Sequence, residues 1–481
     1  MHRLSNLDAS FLHLESARSP MHIGCTLTFS QPKNKTMTFE QFKSHIQSHL
    51  SISPVFRKKL ATQILDLDRP AWLDDESFDI DQHLFHTSLK GELHEHDKKQ
   101  VINQFFSRAL NHHRPLWEIM YMESENKPDE FFVLLKFHHA AVDGMSAEHI
   151  LAGLLSPKSA PQAELTDDWK PEHQDLPSTV YEIGSKHIQN AYRSPLKVYG
   201  LAKRLSHSIF SSQALRMLDK EQRPPHFFTA PETPFNQAIS KKHFFASAHL
   251  PLYKVKEIRK AYPGSTINDV VLAICSGALR KNLETSNELP EESLVAMIPV
   301  SKREKDEQGS PKSSGGNLIS PMLISLATDL DSPSSRLGMI HQNALRAKEF
   351  NYKVAVERIM KHLPSWSSSL TMKAYTRLRL ANILKPVFNL IITNVPGPKV
   401  PLFLNGAELK SLEGVAPIVD NMALTAVVTS YVDTLTISLT SCESIADKVS
   451  FLASNFNEAL DELYQELVPE RPEAPSPQQA A

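Results

Sequence analysis

Residues 130–144 read EFFVLLKFHHAAVDG. The first eight of them form a nearly continuous apolar run, which is typical of a strand buried on both faces. Two histidines follow at once. Beyond the Asp-Gly pair that closes the stretch, apolar residues resume helical spacing over 145–155. The sequence therefore predicts that the two histidines lie on a turn between a buried strand and a helix.

This turn has the residue types that acyl transfer from a thioester to a hydroxyl requires. The reaction needs one base, which takes the hydroxyl proton and later returns it to the leaving thiolate; an imidazole suits both steps. Adjacent side chains of an extended chain point to opposite sides, so only one histidine faces a given channel. We expect His139 to be the general base and His138 to support it. Asp143 is expected to be a structural partner that holds the turn, and Gly144 to allow the tight backbone.

Other interpretations of the histidines stay open. Chance is one explanation of a histidine pair in a chain with 22 histidines, since His112-His113 is a second such pair. A metal site needs a third and a fourth ligand, and adjacent side chains diverge, so we predict no metal. Four further histidines lie among charged residues and are expected to be solvated: His83, His86, His94 and His96.

Length and composition restrict the class of protein. A chain of 481 residues is long enough for two domains. The 52 basic and 54 acidic side chains give a net charge of −2, so no strong field attracts nucleic acid. Three distant cysteines predict neither a disulfide framework nor a structural zinc site, and they fit a reducing cytosol. We also expect no signal peptide and no membrane span.

Strands and helices alternate in two blocks, which predicts an α/β (α+β) protein of two lobes. The expected divisions are an N-terminal lobe (1–177), a helical basic linker (178–234), a C-terminal lobe (235–467) and a disordered tail (468–481). The expected strands are 22–30, 130–137, 243–250, 293–300, 319–327, 387–394, 422–432 and 435–441. The expected helices begin at the capping box of Thr38 and Gln41, and then lie near 103–111, 145–155, 265–283, 333–348, 352–362, 366–384 and 444–466.

Several enzyme signatures are absent from the sequence. No glycines form G-x-G-x-x-G or G-x-x-x-x-G-K-[ST], so dinucleotide-binding and P-loop functions lose their main support. G-x-S-x-G and H-E-x-x-H are also missing, which disfavours a serine hydrolase of that type and a zinc protease.

Further short motifs accompany the double histidine. They are Leu7-Asp8-Ala9-Ser10-Phe11-Leu12, Pro20-Met21-His22-Ile23-Gly24, Pro115-Leu116-Trp117, Asn268-Asp269, Gly316-Asn317 and Asn394-Val395-Pro396-Gly397-Pro398. With them the chain resembles, along almost its whole length, the bacterial bifunctional wax ester synthase/acyl-CoA:diacylglycerol acyltransferase family. HHxxxDG alone is shared by the wider chloramphenicol-acetyltransferase-like superfamily, and the combination with the other motifs is more specific.

The resemblance implies two chloramphenicol-acetyltransferase-like lobes, with mixed sheets flanked by helices and an active-site channel between them. It implies that Asn268 faces the channel from the second lobe as an oxyanion donor, with a locally bonded helix start as the alternative. Substrate contacts are also implied for Pro115, Leu116, Trp117, Asn394 and Pro396. The alternatives there are a core aromatic for Trp117 and a rigid turn for 394–398.

Two neighbouring positions depart from the family pattern. Family members often carry an Asp-Gly pair followed by Leu-Asn near the strand of 422–432, whereas this chain has Asn421 in place of the glycine and Thr425 in place of the asparagine. If these positions shape the acceptor pocket, the acceptor preference differs.

The function implied is transfer of a long-chain acyl group from acyl-CoA, which is a substrate and not a cofactor, to a fatty alcohol or diacylglycerol. The expected location is the cytoplasm, with peripheral attachment to the inner membrane or to storage-lipid inclusions, and no nucleic-acid partner is expected. Two alternatives remain open. One is a condensation-type acyltransferase that uses a carrier-protein thioester, and the other is a non-catalytic lipid-binding protein of the same fold.

Overall fold

The computed structural model describes most of both predicted lobes. The described residues are 2–32, 36–61, 70–89, 94–125, 127–142, 144–159, 169–171, 230–301, 319–349 and 385–468. Most of the predicted linker, the predicted helices at 352–362 and 366–384, the Gly316-Asn317 motif and the tail from residue 469 lie outside these ranges.

The first lobe is built on a six-stranded mixed sheet. From one edge to the other its strands are β12 (Phe403–Leu404), β13 (Ala407–Val415), β2 (His22–Ser30), β7 (Glu130–His138), β6 (Trp117–Ser124) and β5 (Leu84–Leu89). Only β5 and β6 are parallel to each other. The lobe also contains the helices α1 (Asn6–Leu14), α2 (Phe39–Ser48), α3 (His94–Ser107) and α4 (Gly144–Leu154), and a small sheet of β1 (His2–Arg3), β4 (Ala71–Asp74) and β3 (Lys58–Leu60).

The second lobe has a six-stranded sheet of its own. Its order is β10 (Ile319–Ser325), β9 (Val295–Ser301), β11 (Leu390–Val395), β14 (Thr425–Tyr431), β15 (Thr434–Cys442) and β8 (His243–Pro251). The described helices of this lobe are α5 (Leu252–Ala261), α6 (Ile267–Thr285), α7 (Pro333–Glu349) and α8 (Ala446–Leu467). Because β11 runs parallel to both its neighbours while the other pairs are antiparallel, this sheet is also mixed, which confirms the predicted class of two α/β lobes.

The strand β7 lies at the centre of the first lobe and is buried on both faces, as predicted. Phe131, Val133, Leu135 and Phe137 join the main core of the lobe, whereas the alternate residues of β7 face a second cluster that contains Phe105 and Phe106 of α3. The strand therefore reaches the double histidine with both of its faces fixed by packing.

The first sheet takes β12 and β13 from the C-terminal half of the chain, so this sheet is not formed by residues 1–177 alone. β13 pairs with β2 from Glu408↔Ser30 to Val415↔Gly24. The short hairpin that joins β12 to β13 turns at Asn405 and Gly406, which both have positive φ. Asn-Gly between apolar residues is a hairpin signal, and the sequence prediction overlooked it.

Helix starts follow their local sequence with two exceptions. Thr38 and Gln41 form the predicted capping box of α2, and Thr266 caps α6. α3 begins at His94, nine residues before the predicted 103–111. Its first turns are charged and have no apolar period, so the sequence pattern does not reveal them. α8 follows a 3-10 turn and has no side-chain cap, so the predicted start at Ser444 is wrong.

Direct contacts join the two lobes. The Arg18 guanidinium lies 2.8 Å from the Asp420 carboxylate. The backbone N–H of His243 donates to Oγ of Ser107 at 2.8 Å, and the ring of His243 lies 2.9 Å from the carbonyl oxygen of Arg18. Across the described ranges, none of the helices is both long and apolar enough to cross a bilayer.

Candidate active site

The double histidine lies at the end of β7, on a turn fixed by backbone hydrogen bonds. His138 pairs with His22 of β2, and its N–H donates to the carbonyl of Leu116 at 3.0 Å. The N–H of His139 donates to the carbonyl of Met21 at 2.9 Å. The helix α4 begins at Gly144, so the predicted strand, turn and helix are confirmed. Asp143 lies outside the described residues, and its structural role stays a prediction.

The side chain of His138 is completely buried. Its Nδ1 accepts a hydrogen bond from the backbone N–H of Ala140 at 3.0 Å. An accepting Nδ1 has no proton of its own, so the proton of the neutral ring is on Nε2. The imidazole of His138 therefore closes the turn that follows it.

The ring of His139 is half-buried and stacks on a phenyl ring of α1. The centroids of Phe11 and His139 are 3.9 Å apart, and the rings are inclined by 13°. The helix α1 is capped by Ser5, whose Oγ accepts from the N–H of Asp8 at 3.1 Å. Phe11 belongs to the motif Leu7-Asp8-Ala9-Ser10-Phe11-Leu12, which by itself does not indicate a contact with His139.

Two more ionisable side chains, those of Glu15 and His112, lie close to His138. Oε2 of Glu15, the residue that ends α1, lies 2.8 Å from Nε2 of His112 and 3.6 Å from Nε2 of His138. Burial raises the pKa of the Glu15 carboxyl, but the interactions with the two histidines outweigh burial and lower this pKa to about 2. The hydrogen bond that His112 donates to Glu15 raises the pKa of His112. The carboxylate is therefore ionised at neutral pH and paired with His112.

Glu15, His112 and His138 have the residue types of a metal site, and their potential ligand atoms all lie within 4.8 Å of one another. The tautomer of His138 disfavours this use. A metal on Nε2 of His138 needs the lone pair of that nitrogen, but the hydrogen bond from Ala140 keeps the proton there. The cluster is better suited to holding a proton between a carboxylate and two imidazoles.

Lys136 is a further buried ionisable residue on β7. Burial lowers the pKa of Lys136 to about 8, against the opposing effect of Glu118, which lies 2.7 Å away. Nζ of Lys136 also donates to the carbonyls of Phe105 and Arg108 at the end of α3. Lys136 therefore joins α3 to β7 two residues before His138.

The Pro115-Leu116-Trp117 motif supports the end of β7 from the neighbouring strand. All three residues are buried, and the indole N–H of Trp117 donates to the carbonyl of Phe56 at 2.9 Å. The carbonyl of Leu116 accepts the N–H of His138. These contacts fit the core role for Trp117, and a contact of the motif with substrate stays a prediction.

His83 is buried and not solvated, which corrects the prediction for this residue. Its ring stacks on Trp117 at 4.4 Å, and its Nδ1 lies 2.8 Å from the carbonyl of Trp117. Two of the other three are exposed as predicted: His86, which pairs with Glu123, and His96. The side chain of the fourth, His94, lies outside the described residues. The charged neighbours of His83 in sequence do not show that the turn before β5 places its ring inside the lobe.

Asn268 lies in the first turn of α6 and is half-buried. The local bonds that close this helix belong to its neighbours: Thr266 and Asp269 form a reciprocal capping box, and Oδ2 of Asp269 also lies 3.0 Å from Nδ1 of His341. The ND motif thus combines a structural aspartate with an asparagine that takes no part in the cap. The role of Asn268 as an oxyanion donor stays a prediction.

The segment 394–398 consists of the last two residues of β11 and the turn that follows them. Asn394 is half-buried and Pro396 is exposed. A Cβ on Gly397 would lie 1.9 Å from the carbonyl oxygen of Ser430, so the turn packs directly on the backbone of β14. This packing supports the rigid-turn alternative, while substrate contacts of Asn394 and Pro396 stay predictions.

The two departures from the family pattern serve the backbone. Asn421 has a φ of 67°, in the left-handed region where glycine is preferred and asparagine is tolerated. Thr425 is buried, and its hydroxyl donates to the carbonyl of Pro417 at 3.0 Å. Both substitutions therefore fit the local structure, and an effect on acceptor preference stays a prediction.

Comparison with known sequences gives the same assignment for both lobes. Residues 4–271 match the wax ester synthase/diacylglycerol acyltransferase catalytic domain, and residues 315–464 match the WS/DGAT C-terminal domain. An O-acyltransferase of Acinetobacter baylyi is 31% identical over 470 residues, which cover 96% of each chain. A probable diacylglycerol O-acyltransferase of Mycobacterium tuberculosis is 30% identical over 464 residues, 95% of this chain and 98% of the other.

Solved structures are similar over the same length. The wax ester synthase/diacylglycerol acyltransferase of Marinobacter aquaeolei VT8 superposes with a TM-score of 0.68 at 26% identity, over 97% of this chain and 99% of the other. The first condensation domain of the calcium-dependent antibiotic synthetase superposes with a TM-score of 0.55 at 12% identity, over 97% of each chain. The second similarity shows a shared fold alone.

Proposed function

Because the chain belongs to the wax ester synthase/diacylglycerol acyltransferase family, we propose that it transfers long-chain acyl groups from coenzyme A to a fatty alcohol or a diacylglycerol. The general base in this proposal is His139. The products are a wax ester or a triacylglycerol, and free coenzyme A. Within this family of O-acyltransferases, the observation that carries the proposal is the position of His139 on the turn between β7 and α4.

The surroundings of His139 support a role in proton transfer. Its backbone is held to Met21, and one face of its half-buried ring is covered by Phe11. In the proposed reaction the imidazole takes the proton of the acceptor hydroxyl as the oxygen bonds to the thioester carbon. The C–S bond then breaks, and the imidazole returns the proton to the thiolate of coenzyme A. No covalent bond to the protein is formed.

Asn268 is the proposed donor to the oxyanion that develops on the thioester carbonyl. Its position in the first turn of α6 places it at the positive end of a helix of 19 residues. One amide donor of this kind is worth about 3 kcal/mol in comparable sites.

The test of the base is coenzyme A release from palmitoyl-CoA with hexadecanol as acceptor. His139→Ala is expected to lower turnover by about 10²–10⁴-fold, the usual contribution of a general base. His113→Ala is a matched control, because His113 is an exposed member of the other histidine pair, and it is expected to retain full activity. Equal turnover by wild type and His139→Ala would refute the proposal.

Alternative substrates are separated in the same assay. Turnover with hexadecanol and with diacylglycerol, compared side by side, gives the acceptor preference. Activity with a carrier-protein thioester and none with acyl-CoA would instead indicate a condensation-type enzyme. Lipid binding without any turnover, unaffected by His139→Ala, would indicate a non-catalytic protein.

The apolar products also suggest where the reaction takes place. We propose peripheral association with a membrane or with stored lipid, since both product classes partition there. The basic segment predicted to make this contact lies outside the described residues. Co-sedimentation with anionic vesicles that weakens at high salt would support the proposal, and equal recovery with and without vesicles would contradict it.

A further inference from the structure

We propose that Glu15 and His112 position the catalytic base by holding the proton and the ring orientation of His138. This inference rests on the proposed role of His139. Glu15 and His112 come from opposite sides of the turn: Glu15 ends α1, and His112 belongs to the segment between α3 and β6. Both approach the one nitrogen of His138 that does not bond to the turn.

The first step is the orientation of His138. Its Nδ1 closes the turn by accepting the N–H of Ala140, so the Nε2–H points away from the turn. Oε2 of Glu15 lies 3.6 Å from this Nε2, which is longer than a direct hydrogen bond and short enough for a strong charge–dipole attraction. The opposite tautomer would place the lone pair of Nε2 towards the carboxylate and a second N–H against Ala140.

The second step is the fixing of Glu15. Its carboxylate is only 13% exposed and accepts from Nε2 of His112 at 2.8 Å, whereas the imidazole of His112 is 41% exposed. The rings of His112 and His138 meet edge to face at 5.8 Å. His112 therefore neutralises a carboxylate that would otherwise be costly to bury next to an apolar strand.

The third step is the connection to the base. Phe11 and Glu15 are four residues apart at the end of α1, and the N–H of Glu15 donates to the carbonyl of Phe11 at 3.1 Å. Phe11 stacks on His139 and Glu15 faces His138, so one turn of α1 contacts both histidines. Ala140, the next residue along, packs on the same helix in a small cluster with Leu4 and Ala9.

The charged and titratable groups around His138 come from four elements. Glu15 approaches from α1, His112 from the segment before β6, His22 from β2 and Lys136 from β7. Burial, followed by the charge of Lys136, lowers the pKa of His22 well below its usual value, so His22 is neutral. Glu15 is therefore the negative charge of this group that faces Nε2 of His138.

The first test separates kcat from KM. Glu15→Gln keeps the shape of the side chain and removes its charge, and it is expected to lower kcat by about 10–100-fold, as for other groups that orient a functional imidazole. The KM for palmitoyl-CoA is expected to stay unchanged. The matched control is Glu123→Gln, which removes the charge of another Glu–His pair at 2.9 Å, opposite the start of β7. An effect of Glu15→Gln no larger than that of Glu123→Gln would overturn the proposal.

The pH profile provides a readout that a purely structural role does not change. Loss of the negative charge in Glu15→Gln disfavours a protonated imidazole nearby, so the acidic limb of kcat/KM moves to lower pH. In His112→Gln the carboxylate loses its counter-charge, so the limb moves to higher pH. Each shift is expected to be on the order of half a pH unit. Shifts of the same sign, or no shift in either variant, would contradict the proposal.

The tautomer of His138 is measurable without substrate, so it separates this inference from the proposed function. In ¹⁵N-histidine-labelled wild type, with the signal assigned by its loss in His138→Gln, we expect the proton on Nε2 and none on Nδ1. Glu15→Leu is expected to weaken the preference for the proton on Nε2, because only the hydrogen bond from Ala140 then remains to hold it there. A proton on Nδ1 in the wild type refutes the inference whatever the activity. Stoichiometric Zn²⁺ binding that His112→Gln abolishes would refute it as well, since the cluster would then be a metal site.

Discussion

At the scale of single residues, Asn421 shows how a departure from the family pattern is accommodated. Its backbone N–H donates to the carbonyl of Gln237, and its carbonyl accepts from the side chain of Asn236. These bonds join the turn to the segment before β8, and they require the left-handed backbone. Asparagine is one of the few residues with a side chain that adopts this conformation readily.

The prediction at this position compares two variants that both remove the side chain. Asn421→Ala is expected to be less stable than Asn421→Gly by about 1 kcal/mol, because alanine is strained at positive φ and this strain exceeds the entropic cost of glycine. Urea unfolding of the two variants measures the difference. At an ordinary φ alanine is the more stable of the two, so an alanine variant equal to or better than the glycine variant would be the contrary result.

At the scale of elements, close backbone approach holds β2 against β7. A Cβ on Gly24 would lie 1.9 Å from the carbonyl oxygen of Leu135, and that oxygen cannot move without disturbing the ladder. Gly24 therefore sets how close the strand with Met21 and His22 comes to the strand that carries the double histidine. The glycine of the Pro20–Gly24 motif is explained by this contact.

Gly24→Ala is expected to lower the free energy of unfolding by about 2 kcal/mol or more, because the added methyl overlaps backbone. Gly153→Ala in α4 is the matched control. Its Cβ would meet only side-chain atoms of Ile52, the nearest at 2.7 Å, and a side chain is displaced at less cost than a backbone carbonyl in a ladder. Alanine also favours the helix, so the loss there is expected to be below about 1 kcal/mol. Thermal and urea unfolding measure both, and equal losses would contradict the role assigned to Gly24.

At the scale of the whole molecule, buried histidines connect folding to pH. Four of them have pKa values lowered chiefly by burial: His22, His45, His83 and His243. The pKa of His45 falls to about 4. A histidine with a lowered pKa binds fewer protons in the folded state than in the unfolded state. Its contribution to the free energy of unfolding is therefore complete above pH 6.5 and decreases as the pH falls. The raised pKa of His112 has the opposite effect on the pH dependence of stability, but it concerns one histidine, whereas four have lowered pKa values.

The free energy of unfolding is therefore expected to fall between pH 6.5 and about 4, with a slope of up to about 1.4 kcal/mol per pH unit for each buried histidine. Urea unfolding at a series of pH values measures the slope. His45→Gln, which can still bond to the carbonyl of Leu154, is expected to flatten it. A stability that is constant from pH 7.5 to 5 would contradict the assignment of neutral histidines.

Also at the scale of the molecule, β13 connects the two lobes through hydrogen bonds. β13 pairs in the first sheet, while the hydroxyls of Thr429 and Tyr431 on β14 of the second sheet donate to the carbonyls of Leu412 and Leu409. The C-terminal half of the chain is thus part of the sheet that carries His139. The lobes are not two independent segments of sequence.

The sequence by itself determined the elements whose pattern is local. The apolar run of 130–137, the turn with two histidines, the cap of α2 and the period of α6 follow from neighbours within about one turn or one strand, and the structure confirms each. The strand geometry at His138 also predicted that it supports His139, because successive side chains of a strand point to opposite faces.

Only the tertiary structure decided which distant residues meet. Glu15 lies 97 residues before His112 and 123 residues before His138 in the chain, and the three come together because β2, β6 and β7 pair side by side next to α1. The inward turn of His83 and the pairing of β13 with β2 have the same origin. Register and packing between elements depend on the whole core, which no local period contains, so the contacts proposed to support His139 were not visible in the residues that form them.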